Sequence, residues 1–422
     1  MSSAVALGLL LLFLAIGQDV AVAVGLVAVI LLFFSFDIPS VVLAQVAFGS
    51  LDSYALVAIP LFVLAGNLAT RGDIAGMIFS TLASVLRCVR GGMAVSLLVA
   101  TIFFSAMNGS SVACTVAMGP AAIRMLPGEG YPKSFAAALV AVAGTLGIMI
   151  PPSLAFIVIG AMMELPILDL FIAGILPGLM EGALLIIAVI YMSRRHGYGV
   201  KTDRPDWQAF RRDGTRAAPA MLMPLLIIGG LYLGIMTPTE ISAFAVAYAA
   251  VLGLLVYRTF GLRSGFGIAK ESLLQTMLVF MIIMSGTLLS VLLVRLGVTE
   301  DIIAIFRQLD IGPIGFLILA NLILLLLGTV FEGASITVLA APIMFPIATE
   351  VGINPIHFAV IFVACCEIAT LTPPVGMNLF VMARVSRLGL DAVNKAVMPF
   401  FFVRFVGLLI INAFPWLSLA LI

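Results

Sequence analysis

The chain alternates long uncharged apolar stretches with short polar segments. Between Arg90 and Arg124, 33 residues carry no charge, and between Lys133 and Glu164 another 30 carry none. Runs of this length suit bilayer-spanning helices, since about 20 apolar residues cross the hydrocarbon core. In that core a helix also pairs its own backbone groups. The pattern predicts an all-α polytopic membrane protein with roughly ten to twelve membrane segments.

The first uncharged run is interrupted at its centre by the polar segment Asn108–Ser111. Its first leg, Met93–Met107, would be about 22 Å long as a helix, too short for a core of about 30 Å. Two short legs joined by a polar tip predict a re-entrant helical hairpin over residues 91–124, with Arg90 and Arg124 on the same side of the membrane.

The second uncharged run contains Pro151-Pro152. Proline removes a backbone donor and clashes with the preceding helical turn, and it biases the residue before it toward extended geometry. We therefore expect a broken helix over residues 134–163. Irregular backbone at membrane depth is tolerated where it is buried in protein or lines a cavity, so such a break is a candidate binding site.

The same features recur in the second half of the chain, which predicts two inverted repeats of the kind found in many transporters. Four pairs of landmarks lie 222 to 224 residues apart: Asn108–Ser111 with Glu332–Ser335, Gly119-Pro120 with Ala341-Pro342, Gly130–Pro132 with Ile353–Pro355, and Ile150–Ser153 with Thr372–Val375. The second hairpin is expected over residues 311–350 and the second broken helix over 356–383. The first leg of the second hairpin is long enough to span the membrane alone, so that hairpin is predicted from the repeat rather than from the length of its leg.

A basic segment separates the two repeats. Ser193–Arg216 holds seven Lys or Arg residues against three Asp, and the positive-inside rule places such a loop in the cytoplasm. The expected organisation is a first half over 1–192, a cytoplasmic loop over 193–216 and a second half over 217–422.

Composition narrows the function. Hydrophobic residues make up 63% of the chain and charged residues 10%, against about a quarter charged in soluble domains. So few charges cannot cover a water-soluble globule, which excludes a soluble enzyme or a nucleic-acid binder. The net charge of +1 indicates no anionic macromolecular partner. Four cysteines without a C-x-x-C spacing and two isolated histidines predict no disulfide framework and no metal site other than one for Na⁺.

The interruptions supply suitable ligands for an ion and an anion. Freed carbonyls and hydroxyls are oxygen ligands for Na⁺, and the N-termini of half-helices suit a carboxylate. The predicted sodium-binding residues are Ser105, Asn108, Gly109, Gly144, Thr145, Glu332, Gly333, Thr370, Thr372 and Met377. The predicted substrate-binding residues are Ser110, Ser111, Pro151, Pro152, Ser335, Pro373, Pro374, Gly376 and Asn378. Small residues also pack membrane helices, so the prediction depends on their place at repeated interruptions.

Ionised side chains within apolar stretches need partners. Glu332 at the second tip is expected either to coordinate a cation or to form a structural pair, and Glu367 to pair structurally. Glu181 is expected at a helix end or in packing, and Arg404, placed near a helix end, is expected to snorkel toward the membrane surface.

The motifs at these interruptions resemble a known family, the large membrane subunit (DctM type) of tripartite ATP-independent periplasmic (TRAP) transporters. The resemblance covers essentially the whole chain and is carried by four segments: Met107–Ala113, Gly144–Ser153, Thr237–Glu240 and Leu371–Phe380. The chain departs from the family at the second hairpin, where Val330-Phe-Glu-Gly replaces the common Gly-Met-Phe-Met-Asp. Glu332 thus stands in place of an Asp.

The resemblance implies Na⁺-driven uptake of an organic anion, such as a dicarboxylate or sialic acid, by an elevator-type mechanism in the bacterial inner membrane. It also implies a separate small four-helix membrane subunit (DctQ type) and a periplasmic substrate-binding protein (DctP type). It implies no enzymatic activity, and Na⁺ as coupling ion rather than any cofactor.

Three other functions remain open at this stage. A stand-alone Na⁺/dicarboxylate symporter would have similar hairpins and need no binding protein. A membrane enzyme such as an intramembrane protease would need a Ser/Lys, Ser/His or Asp pair or a metal motif, and none is evident in the sequence. A pore-forming subunit would differ in having a flux independent of ion gradients.

Overall fold

The computed structural model describes residues 3–72, 74–199, 205–372 and 376–422. These residues fold into helices joined by short turns. The first half contains α1 (Ser3–Ala15), α2 (Val20–Phe36), α3 (Ser40–Gly49), α4 (Ala58–Arg71), α5 (Ile74–Leu86), α6 (Gly92–Asn108), α7 (Ser111–Met125), α8 (Lys133–Thr145), α9 (Leu154–Met162) and α10 (Ile167–His196). The second half contains α11 (Trp207–Tyr232), α12 (Pro238–Val251), α13 (Leu262–Leu296), α14 (Val298–Gln308), α15 (Pro313–Gly328), α16 (Gly333–Glu350), α17 (Pro355–Ala369), α18 (Met377–Ser386), α19 (Leu390–Ala413) and α20 (Trp416–Leu419).

The helix lengths confirm an all-α polytopic membrane protein. Within the described residues, seven helical segments are long and apolar enough to cross a membrane: Tyr54–Arg71, Ile167–His196, Trp207–Tyr232, Pro238–Val256, Leu262–Leu296, Gly333–Glu350 and Leu390–Ala413. Shorter apolar helices include α6, α8, α15 and α17, which belong to the predicted hairpins and broken helices. Part of the membrane domain is therefore built from helices shorter than a full span.

Much of the basic segment between the halves is helical rather than a loop. Helix α10 continues to His196, and α11 begins at Trp207. The Asp206 carboxylate caps α11 by accepting a hydrogen bond from the backbone N–H of Ala209 at 2.8 Å, as Asp commonly does at this position. The cytoplasmic placement of this segment stays a prediction.

The first hairpin tip follows directly from its sequence. Helix α6 ends at Asn108 because Gly109 has a φ of +63°, a left-handed conformation that favours glycine. Ser110 then caps α7 by accepting a hydrogen bond from the backbone N–H of Ala113 at 3.4 Å. The polar tip is thus a helix stop followed at once by a helix start.

The first broken helix ends and restarts in a similar way. Helix α8 passes into a 3₁₀ turn over Leu146–Ile148, and α9 begins after the two prolines with Ser153 as its cap. The Ser153 hydroxyl accepts a hydrogen bond from the backbone N–H of Phe156 at 3.4 Å. In the second half, α15 and α16 flank Thr329–Glu332, and α17 and α18 flank residues 370–376.

The two repeats pack by exchanging contacts. Helix α7 packs against α8 of its own repeat and against α18 of the other. Helix α16 packs in the same way against α17 of its own repeat and α9 of the other. The next helices along the chain also contact the other repeat, since α10 contacts α17 and α19 contacts α8. Each half therefore completes the packing of the other.

In both repeats a glycine lets the first hairpin arm approach the helix that precedes the break. A Cβ atom on Gly147 would lie 1.6 Å from the Ser105 Oγ, and one on Gly328 would lie 1.9 Å from the Ala369 Cβ. Neither distance is compatible with a side chain larger than hydrogen. The hairpin tips are thereby held against the breaks.

A buried ion cluster joins the two halves. Arg404 of α19 pairs with Glu181 of α10 and with Glu367 of α17, and all three side chains have no exposed surface. The pairing expected of Glu367 is therefore observed. One expectation is wrong, because Arg404 is buried and does not snorkel to the membrane surface. For Glu181 the packing alternative holds, since this residue lies buried in the middle of α10 rather than at its end. Two carboxylates inside the protein provide Arg404 with partners that a sequence position near a helix end does not reveal.

Helices outside the repeated hairpins and breaks pack around them. The 35-residue helix α13 contacts α2, α4 and α16, and α4 contacts α12. A polar seam joins α4 to α13, where the Asn67 Nδ2 donates hydrogen bonds to the Ser272 Oγ at 2.8 Å and the Gln275 Oε1 at 3.0 Å. Such amide contacts hold membrane helices together where the hydrophobic effect cannot.

Candidate functional site

The structure places most of the predicted site residues at the hairpin tips and breaks. Pro373, Pro374 and the side chain of Asn108 lie outside the described residues, so those three predictions stay predictions. The described residues form two groups, one around the first tip and break and the other around the second.

In the first group, the hairpin tip touches the break. The Ser105 hydroxyl donates a hydrogen bond to the Gly144 carbonyl at 3.0 Å, and the Thr145 hydroxyl donates to the Val142 carbonyl at 2.8 Å. Both hydroxyls are fully buried. Because each hydroxyl oxygen also has two lone pairs, both oxygens remain available to accept a hydrogen bond or to coordinate a cation.

The glycines of this group allow close backbone approach. A Cβ atom on Gly109 would lie 3.0 Å from the Pro152 carbonyl oxygen, and one on Gly144 would lie 2.5 Å from the Thr115 Oγ1. Backbone from the tip, the break and α7 therefore converges within one small volume. The roles predicted for Gly109 and Gly144 in sodium binding and for Pro152 in substrate binding stay predictions.

Asn378 connects the second repeat to this first group. Its Nδ2 donates hydrogen bonds to the Ser111 Oγ at 2.5 Å and to the Ala141 carbonyl at 3.0 Å. The side chain is fully buried, and its Oδ1 has no hydrogen-bond partner among the described residues. A buried oxygen without a partner lowers stability by about 1–3 kcal/mol. This atom is therefore a candidate ligand for a cation or a candidate acceptor of a further hydrogen bond.

The second group lies at the end of α17. The Thr370 hydroxyl donates a hydrogen bond to the Glu367 carbonyl at 2.8 Å, and the Thr372 hydroxyl donates to the Ile368 carbonyl at 2.9 Å. A Cβ atom on Gly376 would lie 2.8 Å from the Thr370 carbonyl oxygen. The two hydroxyl oxygens and the freed carbonyl oxygen thus resemble the set of oxygen atoms around the first break.

The second hairpin tip differs from the first in its cap. Glu332 occupies the cap position of α16 and makes no side-chain cap hydrogen bond, and its side chain is exposed. Gly333 approaches the last turn of α17, since a Cβ on it would lie 3.5 Å from the Cys366 Cβ. One turn further on, Ser335 is buried.

Met377 contributes differently from the other predicted ligands. It is the first residue of α18, and its side chain is 42% exposed. Its role in sodium binding stays a prediction.

Sequence reasoning missed three contributors to the site. Gly147 allows the hairpin to approach the break, Thr115 faces Gly144, and the Ala141 carbonyl receives the Asn378 amide. Ser111 and Thr115 lie one helical turn apart, and the Thr115 hydroxyl donates to the Ser111 carbonyl at 2.9 Å. That i, i+4 spacing was the available signal for Thr115; nothing in the sequence marks the Ala141 carbonyl.

Comparison with known proteins identifies a family. The family model described as "Tripartite ATP-independent periplasmic transporter, DctM component" matches residues 7–417. The chain is 37% identical to the C4-dicarboxylate TRAP transporter large permease protein DctM of Pseudomonas aeruginosa, over 90% of this chain and 88% of that protein. It is 32% identical to the sialic acid TRAP transporter large permease protein SiaM of Vibrio cholerae, over 90% of this chain and 88% of the relative.

Two further similarities concern length and fold. The isethionate TRAP transporter permease protein DctMQ of Oleidesulfovibrio alaskensis is 33% identical over 97% of this chain but only 64% of its own length. Among solved structures, the Alcanivorax borkumensis YdaH transporter superposes with a TM-score of 0.60 at 15% identity, covering 97% of this chain and 98% of that one. This second likeness shows a shared fold.

The hydrogen bond between Asn378 and Ser111 predicts an energetic coupling between the repeats. We expect Asn378→Ala to lower the free energy of unfolding by about 1–3 kcal/mol because the Ala141 carbonyl loses its donor. The double variant with Ser111→Ala should lose less than the sum of the two single variants, by about 0.5–3 kcal/mol. The measurement is reversible unfolding in detergent.

A matched control uses Asn412, whose Oδ1 accepts a hydrogen bond from the Asn321 Nδ2 at 3.0 Å rather than from any group near Ser111. Asn412→Ala combined with Ser111→Ala should be additive. Additivity of the Asn378 and Ser111 substitutions would show instead that this contact does not couple the repeats.

Proposed function

Because the chain belongs to the DctM component family of tripartite ATP-independent periplasmic transporters, we propose that it is the translocation subunit of a Na⁺-driven importer of an organic anion. The observation that carries this proposal is the family match, which spans residues 7–417. Relatives named for C4-dicarboxylates and sialic acid support a carboxylate substrate. A transporter of this kind performs no covalent chemistry, so we propose no enzymatic role and no cofactor beyond the coupling ion.

The first proposed Na⁺ site lies between the first tip and the first break. Its ligands would be the buried hydroxyl oxygens of Ser105 and Thr145 together with the Asn378 Oδ1. All three are neutral oxygens, and the hydroxyls already donate their protons to backbone carbonyls. The remaining lone pairs suit a hard cation. We therefore propose that Asn378 binds the ion, whereas the sequence predicted it as a substrate-binding residue.

The second proposed Na⁺ site lies at the end of α17. Thr370 and Thr372 both donate to carbonyls one turn back, which leaves their oxygens available in the same way. The Thr370 carbonyl, close to Gly376, adds a backbone ligand. Glu332 at the neighbouring tip is exposed as a residue and makes no cap hydrogen bond, so we propose that it attracts cations toward this site rather than completing it.

The carboxylate of the substrate would bind at helix N-termini. Helices α7 and α18 pack together, and so do α16 and α9, with each pair drawn from both repeats. All four begin directly after a tip or a break. Their first amides and positive dipole ends favour an anion, and Ser110, Ser111 and Ser335 at these starts add hydroxyl donors.

Movement of the site would follow an elevator-type mechanism. The reciprocal contacts among α7–α9 and α16–α18 and the buried ion cluster favour a single rigid transport unit, whereas α2, α4 and α13 form the proposed scaffold. Sliding of a compact body past a scaffold leaves the ion ligands intact, because none of the proposed ligands belongs to the scaffold helices.

We propose two protein partners, a small membrane subunit of DctQ type and a periplasmic substrate-binding protein of DctP type. The chain matches 88% of the DctM relative but 64% of the longer DctMQ relative. The description of the family as a tripartite transporter of which DctM is one component supports two further components.

Uptake by purified components tests this proposal. The chain, its small subunit and the binding protein are reconstituted in liposomes, and the labelled probe is the anion that stabilises the binding protein in a thermal-shift screen. We expect accumulation with an inward Na⁺ gradient and none with K⁺ alone. Equal uptake in both buffers would contradict Na⁺ coupling, and full uptake without the binding protein would identify a stand-alone symporter.

Substitution of Thr372 tests the second ion site. Thr372→Val keeps the side-chain shape but removes an oxygen ligand, so we expect the Na⁺ concentration for half-maximal uptake to rise about tenfold, the equivalent of about 1.4 kcal/mol. The matched control is Thr287→Val in α13, because Thr287 is also half-buried and donates to the carbonyl one turn back at 3.0 Å. If Thr372→Val and Thr287→Val reach half-maximal uptake at the same Na⁺ concentration, Thr372 only packs the helix.

A further inference from the structure

The ion cluster of Arg404, Glu181 and Glu367 contains more acid than base. The Arg404 Nη1 meets the Glu181 Oε2, and the Arg404 Nη2 meets the Glu367 Oε2. All three side chains have no exposed surface. Two carboxylates therefore share one guanidinium in a region that water does not reach.

Among the described residues, no other charged group on the helices packed against the cluster offsets the excess negative charge. The half-buried Asp169 in the first turn of α10 is itself an acid. The other charged residues of these helices are exposed and sit near helix ends, as for Lys133, Glu350, Arg384, Asp391 and Lys395. The titratable groups nearer to it on α17 are the thiols of Cys365 and Cys366 and the His357 ring. Cys365 donates to the Asn321 Oδ1, and His357 at the start of α17 bonds to the Ser418 hydroxyl at 3.1 Å. None of these supplies a second positive charge to the cluster.

An uncompensated carboxylate at this depth is unfavourable. Even after relaxation, a buried ion costs several kcal/mol unless a partner of opposite charge offsets it. The outer oxygens of both acids, Glu181 Oε1 and Glu367 Oε1, have no hydrogen-bond partner among the described residues. The Glu181 Oε1 is further enclosed by α19, since a Cβ on Gly407 would lie 3.1 Å from it.

We propose that this cluster is a proton-binding site that holds one proton at neutral pH. The proton binds to one of the two carboxyl groups, and the other carboxylate and Arg404 form a neutral ion pair. The cluster as a whole is then uncharged. The number of protons bound to the cluster is expected to equal the number of its carboxyl groups minus the number of its guanidinium groups.

The bound proton follows from the charge and burial of Arg404, Glu181 and Glu367 alone.

Infrared spectroscopy of the full chain in lipid at neutral pH tests the proposal through the carbonyl stretch of protonated carboxyl groups. The wild type should show an absorption that Glu181→Gln and Glu367→Gln each reduce by the equivalent of one carboxyl group. Either substitution leaves one acid and one base, a neutral pair that needs no proton. Arg404→Gln should raise the absorption by about one carboxyl group, because both acids then bind protons.

The control is Glu240→Gln, since the exposed Glu240 carboxylate accepts the Thr237 backbone hydrogen bond at 2.8 Å outside the cluster. It should leave the absorption unchanged. A wild type without protonated carboxyl absorption would overturn the proposal even if no variant folds. Retention of the full absorption in either Gln variant of the cluster would also overturn it, because charge balance requires its loss in both.

Discussion

Backbone groups that a helix no longer pairs must find other partners inside a membrane, and this requirement governs the fold. The chain leaves such groups at two hairpin tips and two breaks. In the first repeat, caps from Ser110 and Ser153 satisfy some of them, and Gly109 and Gly147 allow the tip and the break to approach each other. Because α7 also contacts α18, and α16 contacts α9, neither repeat can protect its own interruptions without the other.

The repeats are equivalent in architecture but not in chemistry. Glu181 and Arg404 are 223 residues apart, which is the repeat length, so the duplicated position carries an acid in one half and a base in the other. Asn378 crosses to the first tip, whereas the residues at the corresponding places in the first repeat are Ala155 and Phe156. The two proposed ion sites therefore differ in their ligands.

The sequence was sufficient for the fold class and for the interruptions at the first tip and the first break, although not for the helix ends in the basic segment between the halves. Charge-free runs, the polar tip at Asn108 and the prolines at 151 and 152 report on backbone constraints that act locally. The partners of individual side chains were not predictable in this way. The hydrogen bond from Asn378 to Ser111 joins residues 267 positions apart, and the burial of Arg404 depends on acids from two other helices. Local position near a helix end suggested the opposite environment for Arg404.

Hydrogen exchange measured with and without Na⁺ tests the central claim most directly, namely that the interruptions of both repeats form one ion-binding unit. We predict that Na⁺, but not K⁺, slows amide exchange together in the peptides covering residues 104–112, 144–154, 329–335 and 369–378. Peptides from α1 to α3 should be unaffected. Exchange that is identical in the two salts, or slowed equally across the whole chain, would contradict the account.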